Sequence, residues 1–308
     1  MNSKCIILGD KELNTVLKYG LNKKEFLLYF LLTPNLKHKI SICYLPESIL
    51  EDMEFVKQLI NFMKNNGIKV GISINTVLVK TNLDYNMNKL LMIKSYINNF
   101  EIDGIHIRTP FGERDNRRSP RMEEYVMQTT YNWINVCLVL EYLKVQNVDF
   151  LCEIDLKLKE GSSEDYYIHM RQILWDGIEI IKKFGLKLKD TTLMISPFYP
   201  KIKGMRSVDI KNVANTTLRC LLECCIKTDV EIILKNGDMG FGTYREYLRY
   251  IEMYNKENKL VLNYEICKEI IIEYVKIWMG KKENLIEAQK RFNNLLVNYL
   301  APEPLRLE

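Results

Sequence analysis

Short apolar runs alternate with longer stretches of helical period from one end of the chain to the other. The runs are 4–8, 40–45, 69–74, 104–107, 149–154, 192–195, 230–234 and 260–263. Each is followed by polar, Gly or Pro residues and then, in most cases, by a stretch patterned for a helix, such as 48–65 or 120–146. Runs of that length bounded by turn residues read as buried strands, and strands that alternate with helices pair in parallel. Eight such units predict a (β/α)8 TIM barrel rather than an open doubly wound sheet. A barrel needs ~250 residues. The 308 residues therefore leave room for additional C-terminal helices, about 265–300, before Pro302 and Pro304 stop regular structure. No Pro/Ser-rich linker divides the chain, so 1–308 is expected to be one domain.

Composition narrows the function classes. At 47% hydrophobic residues the chain can bury a large core. Lys and Arg number 44 against 39 Asp and Glu, a net charge of +5 spread along the chain. That mild excess suits a solvated surface and predicts neither nucleic acid nor membrane as a partner. No apolar run approaches the ~20 residues of a membrane helix. The first apolar run is broken at Asp10, too early for a signal peptide. The eight cysteines show no C-x-x-C pairs at zinc spacing, and Cys5, Cys43 and Cys152 lie inside strand-like runs. Buried, reduced thiols in a cytoplasmic protein are expected. No two of His38, His106 and His169 stand at ligand spacing, so no metal is expected.

A barrel keeps its chemistry at the C-terminal ends of its strands. The residues there are Asp10, Pro46 and Glu47, Ser73 and Asn75, His106 and Arg108, Glu153 and Asp155, Ser196, Lys235 to Asp238, and Asn263 to Glu265. Glu153 and Asp155 are two apart on a strand and share a face. Such a pair can divide acid and base roles, or one of them can simply pair with Arg108 in a polar core layer. Lys235 reads as a Schiff-base amine, a phosphate-binding cation or a rim lysine reaching for water. His106 reads as a proton shuttle or a satisfied core residue. The glycine-spaced loop after the seventh run, from Asn236 and Gly237 to Phe241 and Gly242, reads as a backbone phosphate site or an ordinary turn.

One stretch near the end is more specific: Trp278-Met279-Gly280-Lys281-Lys282-Glu283-Asn284, running on through Ala288 and Gln289 to Lys290. Physically it predicts a helical hairpin broken at Gly280, with Asn284 capping the second helix and Glu287 completing a capping box. Its order, W-x-G-K-x-E-N-x-x-x-A-Q, also resembles the C-terminal signature of class I fructose-bisphosphate aldolases. The strand ends extend the resemblance over most of the chain. C-I-I-L-G-D-K at 5–11 is similar to the family's first strand, placing Asp10 at its active-site aspartate. Further along, N-G-I-K-V-G-I-S-I-N at 66–75, D-G-I-H-I-R at 103–108, F-L-C-E-I-D at 150–155 and T-L-M-I-S-P at 192–197 resemble its third to sixth strands, with weaker matches at 232–238 and 262–268.

The resemblance implies a barrel that cleaves a sugar phosphate through a lysine Schiff base, with no cofactor, in a homo-oligomer. The departures fall on the lysines. Ser196 stands where the family has its Schiff-base lysine, Ser73 and His106 replace two further lysines, and Asn75 replaces an aspartate. Lys235 and Asn236 replace the serine and first glycine of a phosphate-binding triplet, and Ile266 appears where an arginine is usual. Asp10, Arg108, Glu153 and Asp155 persist. A serine has no amine to condense with a ketone. The expectation is therefore a pseudoenzyme that acts through a sugar-phosphate ligand or a protein partner, with Arg108, His106, Ser196, Asn236 and Gly237 lining the binding site. The alternative is a working lyase with Lys235 as a relocated amine and Asp10, Glu153 or Asp155 as acid and base. A small-molecule regulatory barrel without turnover is a third reading.

Overall fold

The computed structural model describes residues 5–8, 13, 16–18, 20–34, 36, 40–75, 83–111, 122–143, 148–156, 162–197, 208–237, 239–258 and 260–300. Its strands are β1 (Cys5–Ile7), β2 (Ile42–Pro46), β3 (Lys69–Asn75), β4 (Gly104–Phe111), β5 (Asp149–Leu156), β6 (Thr191–Ile195), β7 (Glu231–Leu234) and β8 (Leu262–Tyr264). They pair in parallel in sequence order. A parallel bridge from Cys5 to Glu265, with the Ile266 N–H donating to the Cys5 carbonyl at 3.1 Å, brings β8 back to β1. This is the (β/α)8 barrel that the alternating runs predict.

The crossover helices are built from their caps and stripes. Asp52 caps α2 (Met53–Asn65; α1 is Lys23–Leu31) by accepting from the Phe55 N–H at 3.1 Å. That helix buries Phe55, Val56, Leu59, Ile60 and Met63, a spacing that lays one face on the sheet. The following helices are α3 (Leu83–Phe100), α4 (Met122–Leu143), α5 (Ser163–Lys183), α6 (Ile210–Cys225) and α7 (Phe241–Asn255). Ser162 and Asp165 form a reciprocal capping box at the start of α5, and Asp209 caps α6. All eight cysteines are buried free thiols. No helix among the described residues is long and apolar enough to cross a membrane.

Alternation along the strands separates two cores. Ile6, Cys43, Val70, Ile72, Ile105, Ile107, Cys152, Ile154, Leu193, Ile195, Ile232 and Leu234 face outward under the helices. Cys5, Tyr44, Leu151, Met194 and Ile233 form a separate cluster inside the barrel, with Ile7 and Ile42 packed against it. At the N-terminal end of the strands the inward residues are polar. Lys69 pairs with Asp149 at 3.4 Å, and Glu231 accepts from Thr192 at 3.1 Å and from Asn263. The inner apolar layer is closed by the Tyr44 ring, which lies over two glycines. A Cβ on Gly71 would sit 2.2 Å from Tyr44 Cδ1, and one on Gly104 would sit 2.7 Å from Ile42 Cδ1. Gly71→Ala is therefore expected to overpack the interior and lower stability by about 1–3 kcal/mol, read from urea unfolding.

The C-terminal elaboration is α8 (Lys268–Trp278) followed by α9 (Leu285–Leu300). Met279 takes the left-handed conformation at φ 48° and Gly280 follows at φ 71°, so the chain reverses where the sequence places a break. A Cβ on Gly280 would fall 2.7 Å from Leu21 Cδ2, so this turn also packs too closely for a side chain. One expectation needs correction. Helical winding resumes in a 3-10 turn at Lys282–Asn284, so Asn284 lies inside the winding instead of opening it as a cap. The turn is continuous with α9, and its first flanking residue is Lys281. The hairpin docks on α1 through aromatic rings. Trp278 lies 5.5 Å from Tyr29 and 6.4 Å from Phe26, and Phe30 stands edge-on to Tyr274 and Phe292 at 5.4 and 5.0 Å.

Candidate functional site

At the C-terminal end of the barrel the inward side chains converge on Glu153. Its carboxylate is buried. One oxygen, Oε1, takes the Lys235 ammonium and the Arg108 guanidinium, whose Nε is 3.2 Å away. The other, Oε2, lies 3.1 Å from His106 Nε2. The far ring nitrogen, His106 Nδ1, is 2.8 Å from Ser73 Oγ. The Tyr44 ring packs 5.7 Å from the imidazole and links this group to the apolar layer beneath.

The strand register explains the convergence. Ser73 of β3 is level with His106 of β4, and Arg108 of β4 is level with Glu153 of β5. Lys235 follows β7, where its backbone N–H donates to the Ile195 carbonyl at 2.9 Å. The sequence placed Arg108 and Glu153 at strand ends. The β4–β5 ladder instead continues to Phe111 and Leu156, so both side chains sit inside the barrel wall rather than on loops. Placement on strands gives the group a rigid support.

Burial alone would push the Glu153 carboxyl up. The Lys235 ammonium, the His106 hydrogen bond and the Arg108 charge outweigh burial and hold it well below the usual carboxylate range. Burial alone would likewise push the Lys235 ammonium down, but the Glu153 and Glu265 carboxylates overcome this and raise it above the ordinary lysine value. Glu153 is thus an anion and Lys235 a cation at neutral pH. An ionised carboxylate can only accept, so His106 carries a proton on Nε2 and, when neutral, accepts from the Ser73 hydroxyl at Nδ1.

The other expected site residues are placed differently. Asn236 is buried and turned toward the start of α8. Its Nδ2 donates to Cys267 Sγ at 2.7 Å and lies 3.4 Å from Glu269 Oε2. Ser196 follows β6, and its carbonyl accepts from the Tyr166 hydroxyl at 2.6 Å. Gly237 takes φ 65°, with the ring of Pro197 3.5 Å from where its Cβ would be. Asp10 and Asp238 lie outside the described residues, and for Asp155 only the strand backbone is described. Sequence reading missed the Ser73–His106 contact and the part played by Tyr44. The period-two alternation of β2, β3 and β4 carried both, because it points Tyr44, Ser73 and His106 inward together.

No family model matches the sequence, and no curated protein matches it. The structure is similar to a solved fructose-bisphosphate aldolase from Plasmodium falciparum, in ternary complex with TRAP and a small-molecule inhibitor. The TM-score is 0.73 over 97% of this chain and 90% of that one, at 16% sequence identity. The likeness shows an aldolase-like fold.

Proposed function

We propose that this protein is a divergent relative of the class I aldolases that has given up Schiff-base chemistry and binds a small phosphorylated ligand at the barrel mouth. The observation that carries this reading is the state of Lys235. Schiff-base formation needs a free amine, which enzymes obtain by lowering a lysine's pKa. Lys235 is instead ion-paired to a buried carboxylate that raises its pKa. β6 is followed by Ser196, which offers no amine in its place. Ligand binding is supported by Arg108 and Lys235, whose side chains keep 32% and 21% exposure above the buried Glu153. The Arg108 guanidinium and the Lys235 ammonium are charged donors of the kind that hold a phosphate.

Two measurements test this. Incubation with fructose 1,6-bisphosphate and borohydride is expected to leave no covalent adduct, whereas an adduct on Lys235 would restore the lyase reading. Fructose 1,6-bisphosphate is expected to raise the thermal transition of the wild type and not of Arg108→Ala. A ligand at about a hundred times its dissociation constant adds about 2.7 kcal/mol of stability. No shift at millimolar ligand would remove the binding claim.

A further inference from the structure

Two of the residues that the resemblance sets at lysine positions, Ser73 and His106, make a contact set with Glu153. Ser73, His106 and Glu153 come from three neighbouring strands and are joined in a line at 2.8 Å and 3.1 Å. A hydroxyl held against one imidazole nitrogen, with the other nitrogen oriented by a carboxylate, is the arrangement that activates a serine nucleophile. It is recognised by geometry and roles, not by chain order or fold. Burial grades along the line in the useful direction. His106 and Glu153 are each 2% exposed, whereas Ser73 is only half-buried. The nucleophile is therefore the member most open to solvent. Arg108 and Lys235 hold the carboxylate from its opposite oxygen and so fix it against the imidazole.

We propose that Ser73, His106 and Glu153 form an acyl-transfer centre that hydrolyses small carboxylic esters entering through the barrel mouth. Ser73 Oγ attacks the carbonyl carbon while its proton passes to His106 Nδ1. The bond from that carbon to the alcohol oxygen then breaks, and the leaving alcohol takes the proton from His106. Water next gives a proton to His106 and attacks the acyl carbon. The acid leaves, and Ser73 recovers its proton. Ser73 and His106 are the catalytic residues, and Glu153 is a positioning residue that fixes the imidazole tautomer. This centre uses neither the Lys235 amine nor a carbon–carbon bond, so it stands or falls independently of the aldolase reading.

The test is a fluorophosphonate probe applied to the full-length protein, with the modified residue located by peptide mass spectrometry. Ser73 is expected to carry the adduct, Ser73→Ala to abolish it there, and His106→Gln to slow labelling by about 100-fold or more. An unmodified Ser73 in folded wild type, or equal rates in wild type and His106→Gln, overturns the proposal. If His106→Gln does not fold, wild type decides alone. Labelling that rises with pH as one proton is lost supports the proposal, and a flat rate from about pH 5 to about pH 9 overturns it. Glu153→Gln is expected to displace that pH profile, and an unmoved profile removes Glu153 from the centre.

Discussion

Replacing Glu153 by Gln is expected to lower the unfolding free energy by about 3 kcal/mol. Removing one partner of a buried charge set costs about 3–5 kcal/mol because the remaining charges are left uncompensated. Here the lower end applies, since Lys235 and Arg108 keep 21% and 32% exposure and regain some hydration at the mouth. Gln preserves the shape and can still accept from His106, so the loss reports charge and not a cavity. Urea unfolding near neutral pH measures it.

The same set fixes how stability depends on pH. The folded-state pKa of Glu153 lies below its ordinary value of 4.5. Its contribution is therefore present above that value and fades as pH falls through the lower folded one. The folded-state pKa of Lys235 lies above its ordinary value of 10.5, so its contribution is present below that value and fades as pH rises through the higher folded one. Between the two limits both Glu153 and Lys235 stay charged. The acid decline should shrink in Glu153→Gln, and an unchanged decline would place the carboxylate's linkage elsewhere.

Trp278→Ala is expected to cost about 3–5 kcal/mol, the range for deleting a fully buried large aromatic. Trp278 is 1% exposed and stands among Phe26, Tyr29 and Tyr274. Its removal empties the seat between α8 and α1. Trp278→Phe should cost clearly less. It keeps a ring in the cluster and removes an indole N–H that is buried with no partner among the described residues. Thermal or urea unfolding of the two variants side by side checks the order, and equal losses would mean that the ring is not what holds the hairpin.

The barrel was legible because its signal is repeated. Eight runs each carry the same alternation, so errors of a residue or two, such as beginning the second strand at Ile40 rather than Ile42, leave the architecture intact. The hairpin break at Gly280 and the start of α9 after Asn284 were legible, but the 3-10 turn between them was not. A 3-10 turn differs from an N-cap by a few backbone angles that side-chain chemistry does not encode. The site was half legible. Glu153, Arg108, His106 and Lys235 could be placed on one rim, because strand ends in a barrel must meet. That all of them share one carboxylate could not be read, because it depends on the inter-strand register. Asn236 shows the limit. Its position beside Lys235 suggested a binding role, yet neighbouring residues point to opposite sides, and its amide serves the start of α8.

The Tyr44 layer has a consequence for traffic. Cys5, Tyr44, Leu151, Met194 and Ile233 are each no more than 6% exposed, and they separate the polar floor of the barrel from its polar rim. Among the described residues this layer leaves no polar path between rim and floor, so a molecule that enters above Glu153 would leave by the end it came in. Reactant and product would compete for one opening, so a bulky occupant bound there would block arrival and departure alike.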